Sequence, residues 1–96
     1  MQRAIMVDTH DNVATALDDL VSGEPVRVDR GDNAALTIES LEAIPRGFKL
    51  ATKDIDTGQP VVKYGEVIGL ATEPILKGAC VHVHNIEGTK GRGDLA

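Results

Sequence analysis

The sequence predicts one small, mainly β domain: a compact roll or barrel of short strands with a single short helix. Three observations lead there. The 96 residues suffice for one modest core and no more. The β-prone runs are brief and are separated by turn residues every ~8–12 residues, the spacing of an all-β barrel or roll. The apolar residues, 42% of the chain, are almost all aliphatic, with Phe48 and Tyr64 as the only aromatics. Such a composition suits short strands in close packing.

Ala4 to Val7 reads as the first strand. THDN follows, and Asp11 or Asn12 can cap a helix by accepting from its free N–H groups. In VATALDDLVSG the apolar residues Val13, Leu17, Leu20 and Val21 fall at helical spacing, with Gly23 as the stop. The one helix is therefore expected here. After Pro25, Val26 and Val28 alternate with Arg27 and Asp29, RGDN makes a turn, and Ala35 to Ile38 returns as the second strand of a hairpin. A stretch ending at Ala51, then VVK, VIGLA and VHVH, supplies the remaining strands.

A seven-residue pattern links these elements. An aliphatic residue, two others, glycine, two others and a second aliphatic residue occur four times: LVSGEPV from Leu20, IPRGFKL from Ile44, IDTGQPV from Ile55 and ILKGACV from Ile75. Each copy reads as a tight corner, with both aliphatic residues buried and glycine in a backbone conformation closed to other residues. The uneven spacing between copies excludes a stacked solenoid and favours a pseudo-symmetric β fold with similar corners. Residues 4–85 form the expected domain. Residues 86–96, with Gly88, Gly91 and Gly93, read as a flexible tail or linker.

A net charge of −5, with no basic run and no aromatic platform, argues against nucleic acid as a partner. No apolar run approaches the ~20 residues of a membrane span, and the N-terminus lacks the form of a signal peptide. Cys80 is the only cysteine, which rules out a disulfide within the chain and suits a reducing compartment. The cytoplasm is the expected location. The RGD at 92–94 is read as coincidence.

Three features can carry chemistry. If VHVH is extended, Cys80, His82 and His84 share one face, and imidazoles at i and i+2 can converge on one metal ion. The same pattern also describes a solvated strand face. His10 lies in THDN, beside residues whose side chains can bind free N–H groups. Lys63 and Tyr64 adjoin Gly65, where the lysine could hold an anion; Lys49 and Lys53 carry the same ambiguity. No Walker-type phosphate loop or nucleophile triad is present.

Taken together, HDNVATAL, then IPRGFKLATKDIDTGQPVVKYGEVIGLA, then VHVHN with GRGDL, resemble the N-terminal domain of altronate dehydratase and its relatives. Those relatives include galactarate dehydratase and the small subunit of sulfolactate sulfo-lyase. The likeness runs from about Ala4 to Leu95. It implies a SAF-type β-clip fold and a sugar-acid lyase that removes water from an aldonate to give a 2-keto-3-deoxy acid. It also implies a divalent metal, iron(II), shared with or held by a large subunit. On that resemblance His10, His82 and His84 are candidate catalytic residues, and Asp11, Asn12, Lys63, Tyr64 and Asn85 candidate substrate contacts. His82 and His84 are candidate metal ligands, while Cys80 acquires no role. The family's long catalytic region is absent, so the expected partner is a large dehydratase subunit, and the chain alone is expected to be inactive. Met1 and the linker-like tail favour a separate small subunit over an excised domain. Self-association, a sulfonate leaving group, and a non-catalytic ligand-binding or assembly module stay open.

Overall fold

The computed structural model describes residues 1–31 and 34–88. Nine strands are present: β1 (Gln2–Ile5), β2 (Val13–Ala16), β3 (Pro25–Asp29), β4 (Ala35–Glu39), β5 (Lys49–Ala51), β6 (Pro60–Lys63), β7 (Glu66–Ala71), β8 (Cys80–Val81) and β9 (Ile86–Glu87). Six strands form one sheet in the order β4-β3-β1-β2-β5-β8, and three form a second in the order β6-β7-β9. Among the described residues only the β1–β3 pairing is parallel.

Short strands separated by turns are what the turn spacing predicted. The expected helix, however, is absent among the described residues. Val13–Ala16 is β2, flanked by β1 and β5. Two physical reasons explain the misreading. β2 is buried on both faces, with Ala14 and Ala16 in one core cluster and Val13 in the other, so its apolar residues do not alternate. The two aspartates that follow use their side chains as acceptors for distant backbone. Asp18 accepts from Arg3 N at 2.9 Å and Asp19 from Arg46 N at 2.9 Å. Short acidic side chains compete with helix in this way.

The four corners are present as read. Gly23, Gly47, Gly58 and Gly78 have φ of 82°, 88°, 85° and 94°. Each closes a turn in which the following residue donates to the carbonyl three back, from Glu24 to Val21, Phe48 to Pro45, Gln59 to Asp56 and Ala79 to Leu76. This is the type II geometry, which demands a left-handed residue at its third position. All eight framing aliphatic residues are buried. The corners also pair. Leu20 and Ile44 exchange backbone hydrogen bonds of 2.8 and 3.0 Å, and Ile55 and Ile75 exchange two of 2.8 Å. The residue before each pair's first aliphatic is an aspartate whose carboxylate accepts from the partner corner. Asp19 takes Arg46 N at 2.9 Å, and Asp54 takes Lys77 N at 2.8 Å. The molecule thus repeats one bridged pair of corners.

Two core clusters result. One gathers Ala4, Val26, Val28, Ile38, Ile44, Leu50 and Cys80 on one face of the large sheet; the other gathers Val13, Ala51, Ile55, Val61, Ile75 and Val81 beneath the small sheet. Burying each such aliphatic side chain contributes roughly 1.5–3 kcal/mol relative to exposure. The strands β2, β5 and β8 are the wall between the clusters, because successive residues on them face opposite ways.

The chain departs from expectation at its last strands. β8 stops at Val81, and His82 to Asn85 form a turn, closed by Asn85 N donating to His82 O at 3.0 Å. VHVH is therefore not a strand. Ile86–Glu87 then pair with β7 as β9, so strand structure runs past the expected boundary at Asn85. The rest of the predicted tail from 89 onward, and the middle of the RGDN turn, lie outside the described residues.

Candidate functional site

The loop between β1 and β2 and the tip of the β6–β7 hairpin meet. Asp11 is fully buried. Its Oδ1 accepts from Gly65 N at 2.8 Å, and its Oδ2 accepts from Asp8 N at 3.1 Å and Val7 N at 3.4 Å. Asn12 works as a stand-in strand: its Oδ1 accepts from Val62 N at 2.8 Å, its Nδ2 donates to Pro60 O at 2.9 Å, and its backbone N donates to Val62 O at 3.2 Å. Neither residue caps a helix. Both fasten the hairpin, Asp11 from a fully buried position and Asn12 from a partly buried one.

The hairpin turn has Tyr64 at φ 55° and Gly65 at φ 75°, between the register partners Lys63 and Glu66. Two positive φ values in a two-residue loop are those of a type I′ turn, whose twist matches the strands. Gly65 sits so close to the loop that a Cβ there would lie 2.8 Å from Asp8 Oδ2. Tyr64 is half exposed, and Lys63 Nζ lies 4.9 Å from its ring centroid. At the loop's crest His10 Nδ1 contacts Asp8 Oδ1 at 2.9 Å, and His10 N donates to the same oxygen at 2.8 Å. These hydrogen bonds, the backbone one first, hold the Asp8 carboxyl below the usual carboxylate range. The His10 side chain is 86% exposed.

The His82–Asn85 turn is a separate piece. His82 stacks on Phe48, with ring centroids 3.9 Å apart and planes at 22°. Its Nδ1 is buried and has no hydrogen-bond partner. His84 is exposed, and Val83 between them is 78% exposed. Asn85 is buried. Its Oδ1 accepts from His82 N at 2.9 Å and its Nδ2 donates to Cys80 O at 2.8 Å. Its amide therefore closes the turn. Because the strand ends at Val81, His82 and His84 lack the shared strand face expected for chelation. Among the described residues no group of three or more His, Cys, Asp or Glu side chains is placed to hold a metal ion.

Cys80 and Lys49 border this turn. Burial pushes the Cys80 thiol up, with Glu42 adding to the effect, and Glu42 Oε2 accepts from Cys80 N at 3.1 Å. Lys49 is half-buried on β5. Burial, then the nearby Lys63 ammonium, hold it below the usual lysine range. Among the described residues, a hollow of about 250 Å³ is lined by Arg27, Asp29, Arg30, Gly31 and Ala34 and another of about 240 Å³ by Asp19, Leu20, Ala43, Ile44 and Pro45; neither includes an expected site residue.

The structure therefore joins the Asp11–Asn12 and Lys63–Gly65 blocks directly, and no hydrogen bond or ring contact among the described residues links His82 or His84 to His10. The sequence reading missed Phe48 as the platform for His82 and Asp8 as the partner of His10.

The model of the altronate/galactarate dehydratase SAF domain matches residues 2–89. The chain belongs to this family. Altronate dehydratase of Escherichia coli (strain K12) is 43% identical to the SAF domain over 81 residues, 84% of this chain and 15% of that protein. Altronate dehydratase of Bacillus subtilis (strain 168) is 36% identical over 85 residues, 88% of this chain and 16% of that protein. The (2R)-sulfolactate sulfo-lyase subunit alpha of Chromohalobacter salexigens is 42% identical over 52 residues, 54% of this chain and 55% of that subunit. The SAF domain thus corresponds to about 15–16% of the dehydratases' length. Its relation to hydro-lyases extends over that one part of them.

Proposed function

We propose that this SAF domain works with a large catalytic subunit as a sugar-acid hydro-lyase of the altronate dehydratase type, in the cytoplasm. The reaction removes water from an aldonate and yields a 2-keto-3-deoxy acid. The observation that supports it best is the 43% identity to an altronate dehydratase over 84% of the chain. The reaction needs a base for a weakly acidic proton beside the carboxylate and an acid for the departing hydroxyl. His10, with its ring on Asp8, and His84 are the accessible imidazoles for those proton transfers once the large subunit closes over them. His82 stays stacked on Phe48, in the same turn as His84. Lys63 and Tyr64 at the hairpin tip contact the substrate. Asp11, Asn12 and Asn85 act by holding those elements in place. Iron(II) belongs in this reading to the large subunit, since the described residues offer no set of three donors.

A second reading has its own support. The relative that is a separate subunit, and of which this chain matches more than half, is a sulfo-lyase alpha subunit. On that reading sulfite leaves in place of hydroxide. Mixing the chain with the large subunit and analysing products distinguishes them: a keto-deoxy acid from altronate supports the first, and sulfite from sulfolactate the second. With the dehydratase, His10→Ala and His84→Ala are expected to lower kcat about 100-fold or more if they transfer protons. Full activity of the large subunit without this chain would refute both readings and leave a binding module.

A further inference from the structure

The row of residues where the small sheet's cover ends carries an unassigned polar group. Thr15 on β2 and Lys49 on β5 are register partners, on the same face as Val13 and Ala51, their neighbours two along. Val13 and Ala51 are sealed into the core beneath the small sheet, whereas Thr15 and Lys49 are only half-buried. The Thr15 hydroxyl oxygen is nevertheless out of solvent and has no hydrogen-bond partner. Buried hydroxyls normally find one. Lys63, at the end of β6 in the small sheet, adds its positive charge to the surroundings of Lys49. Neither lysine has an ion-pair partner among the described residues. The chain holds 15 acidic side chains against 10 basic ones, so carboxylates are not scarce. An ammonium without an ion-pair partner, paired across two strands with a hydroxyl that has no hydrogen-bond partner, is a donor set that an anion satisfies.

We propose that Thr15, Lys49 and Lys63 form a carboxylate subsite at the edge of the small sheet, which receives the acid end of a hydroxy acid. This rests on the sugar-acid reading above for the identity of the ligand. The lysines supply charge, and the threonine supplies a directed donor that a simple surface lysine pair lacks.

The test is a titration of the whole chain with gluconate, an aldonate, and with sorbitol, its neutral alditol, followed by backbone amide shifts. Gluconate is expected to move the amides of Thr15 and Lys49 saturably at millimolar concentrations, and sorbitol to leave them in place. Lys49→Met and Thr15→Val are each expected to weaken gluconate about tenfold or more, while Lys53→Met leaves it unchanged. Lys63→Met serves if Lys49→Met perturbs the fold. Equal shifts with sorbitol, no shifts at Thr15 and Lys49 up to tens of millimolar, or unaltered gluconate binding in Lys49→Met would each overturn the subsite. With the large subunit present, Lys49→Met is expected to raise KM for the aldonate more than it lowers kcat. Gluconate binding that depends on Lys49, without any turnover of sugar acids, would keep the subsite and remove the hydro-lyase reading. Turnover with an unchanged KM in Lys49→Met would do the reverse.

Discussion

A methyl group added at Gly78 would run into the carbonyl oxygen of Glu39, whereas at Gly58 it would meet nothing within 4 Å. Both residues have the same left-handed conformation, with φ of 94° and 85°. Gly58→Ala should therefore cost only the conformational strain, about 1–2 kcal/mol. Gly78→Ala should cost clearly more, because backbone cannot swing aside as a side chain does. Urea unfolding of the two variants checks the order; equal losses would show that the Glu39 carbonyl moves freely. Cys80 makes a second prediction at this scale. Burial, with Glu42 behind it, keeps the thiol protonated above the usual cysteine range. Alkylation by iodoacetamide near pH 8 is expected to be slow in the native protein and fast in urea. Rapid labelling of the folded chain would contradict the buried placement.

At the scale of elements, the β6–β7 hairpin depends on two side chains from the β1–β2 loop. Asp11→Asn keeps the size but turns one acceptor into a donor facing the N–H groups of Gly65 or Asp8, and should cost about 2 kcal/mol. Hydrogen exchange at Gly65 and Val62 should quicken beyond that at the β3–β4 amides, and uniform acceleration would argue against a local fastening. This element-level arrangement explains what the sequence made legible. The four corners were readable because a type II turn admits almost only glycine at its third position, and because burial of the framing aliphatics leaves a fixed spacing. The hairpin from Val26 to Ile38 was readable from its turn, and the strands on either side of Gly65 from their β-prone runs. β2 was not, since a strand buried on both faces loses its alternation and its apolar residues then mimic a helix. The Val81–His84 alternation misled for another reason: Asn85 supplies hydrogen bonds that pull the chain out of the strand, and nothing before Asn85 announces it. At the candidate site, the sequence brought out the loop and hairpin blocks. It did not reveal that Asp11 and Asn12 bind backbone 54 and 50 residues on, or that Asn85 turns back to the backbone of His82 and Cys80.

For the whole molecule, acid should act first at the carboxylates that hydrogen bonds hold ionised. Asp8, held low by its hydrogen bonds from His10, and Asp29, held low by Arg27 and then Arg3, both have folded values beneath their unfolded ones. Such groups contribute stability that is complete above the ordinary carboxylate pKa of ~3.9 and disappears as pH falls through the lower folded value. The urea midpoint should accordingly be flat between about pH 5 and 7 and decline below about pH 4. Asp29→Asn should flatten part of that decline, and an unchanged acid limb in that variant would remove Asp29 as a contributor.

β5 is three residues long, and each faces a different neighbourhood. Leu50 belongs to one cluster, Ala51 to the other, and Lys49 reaches the rim. A load placed on Lys49 is carried straight into the partition between both interiors, with no loop to absorb it. The domain is built as a stiff jaw: whatever grips that rim grips the entire body at once.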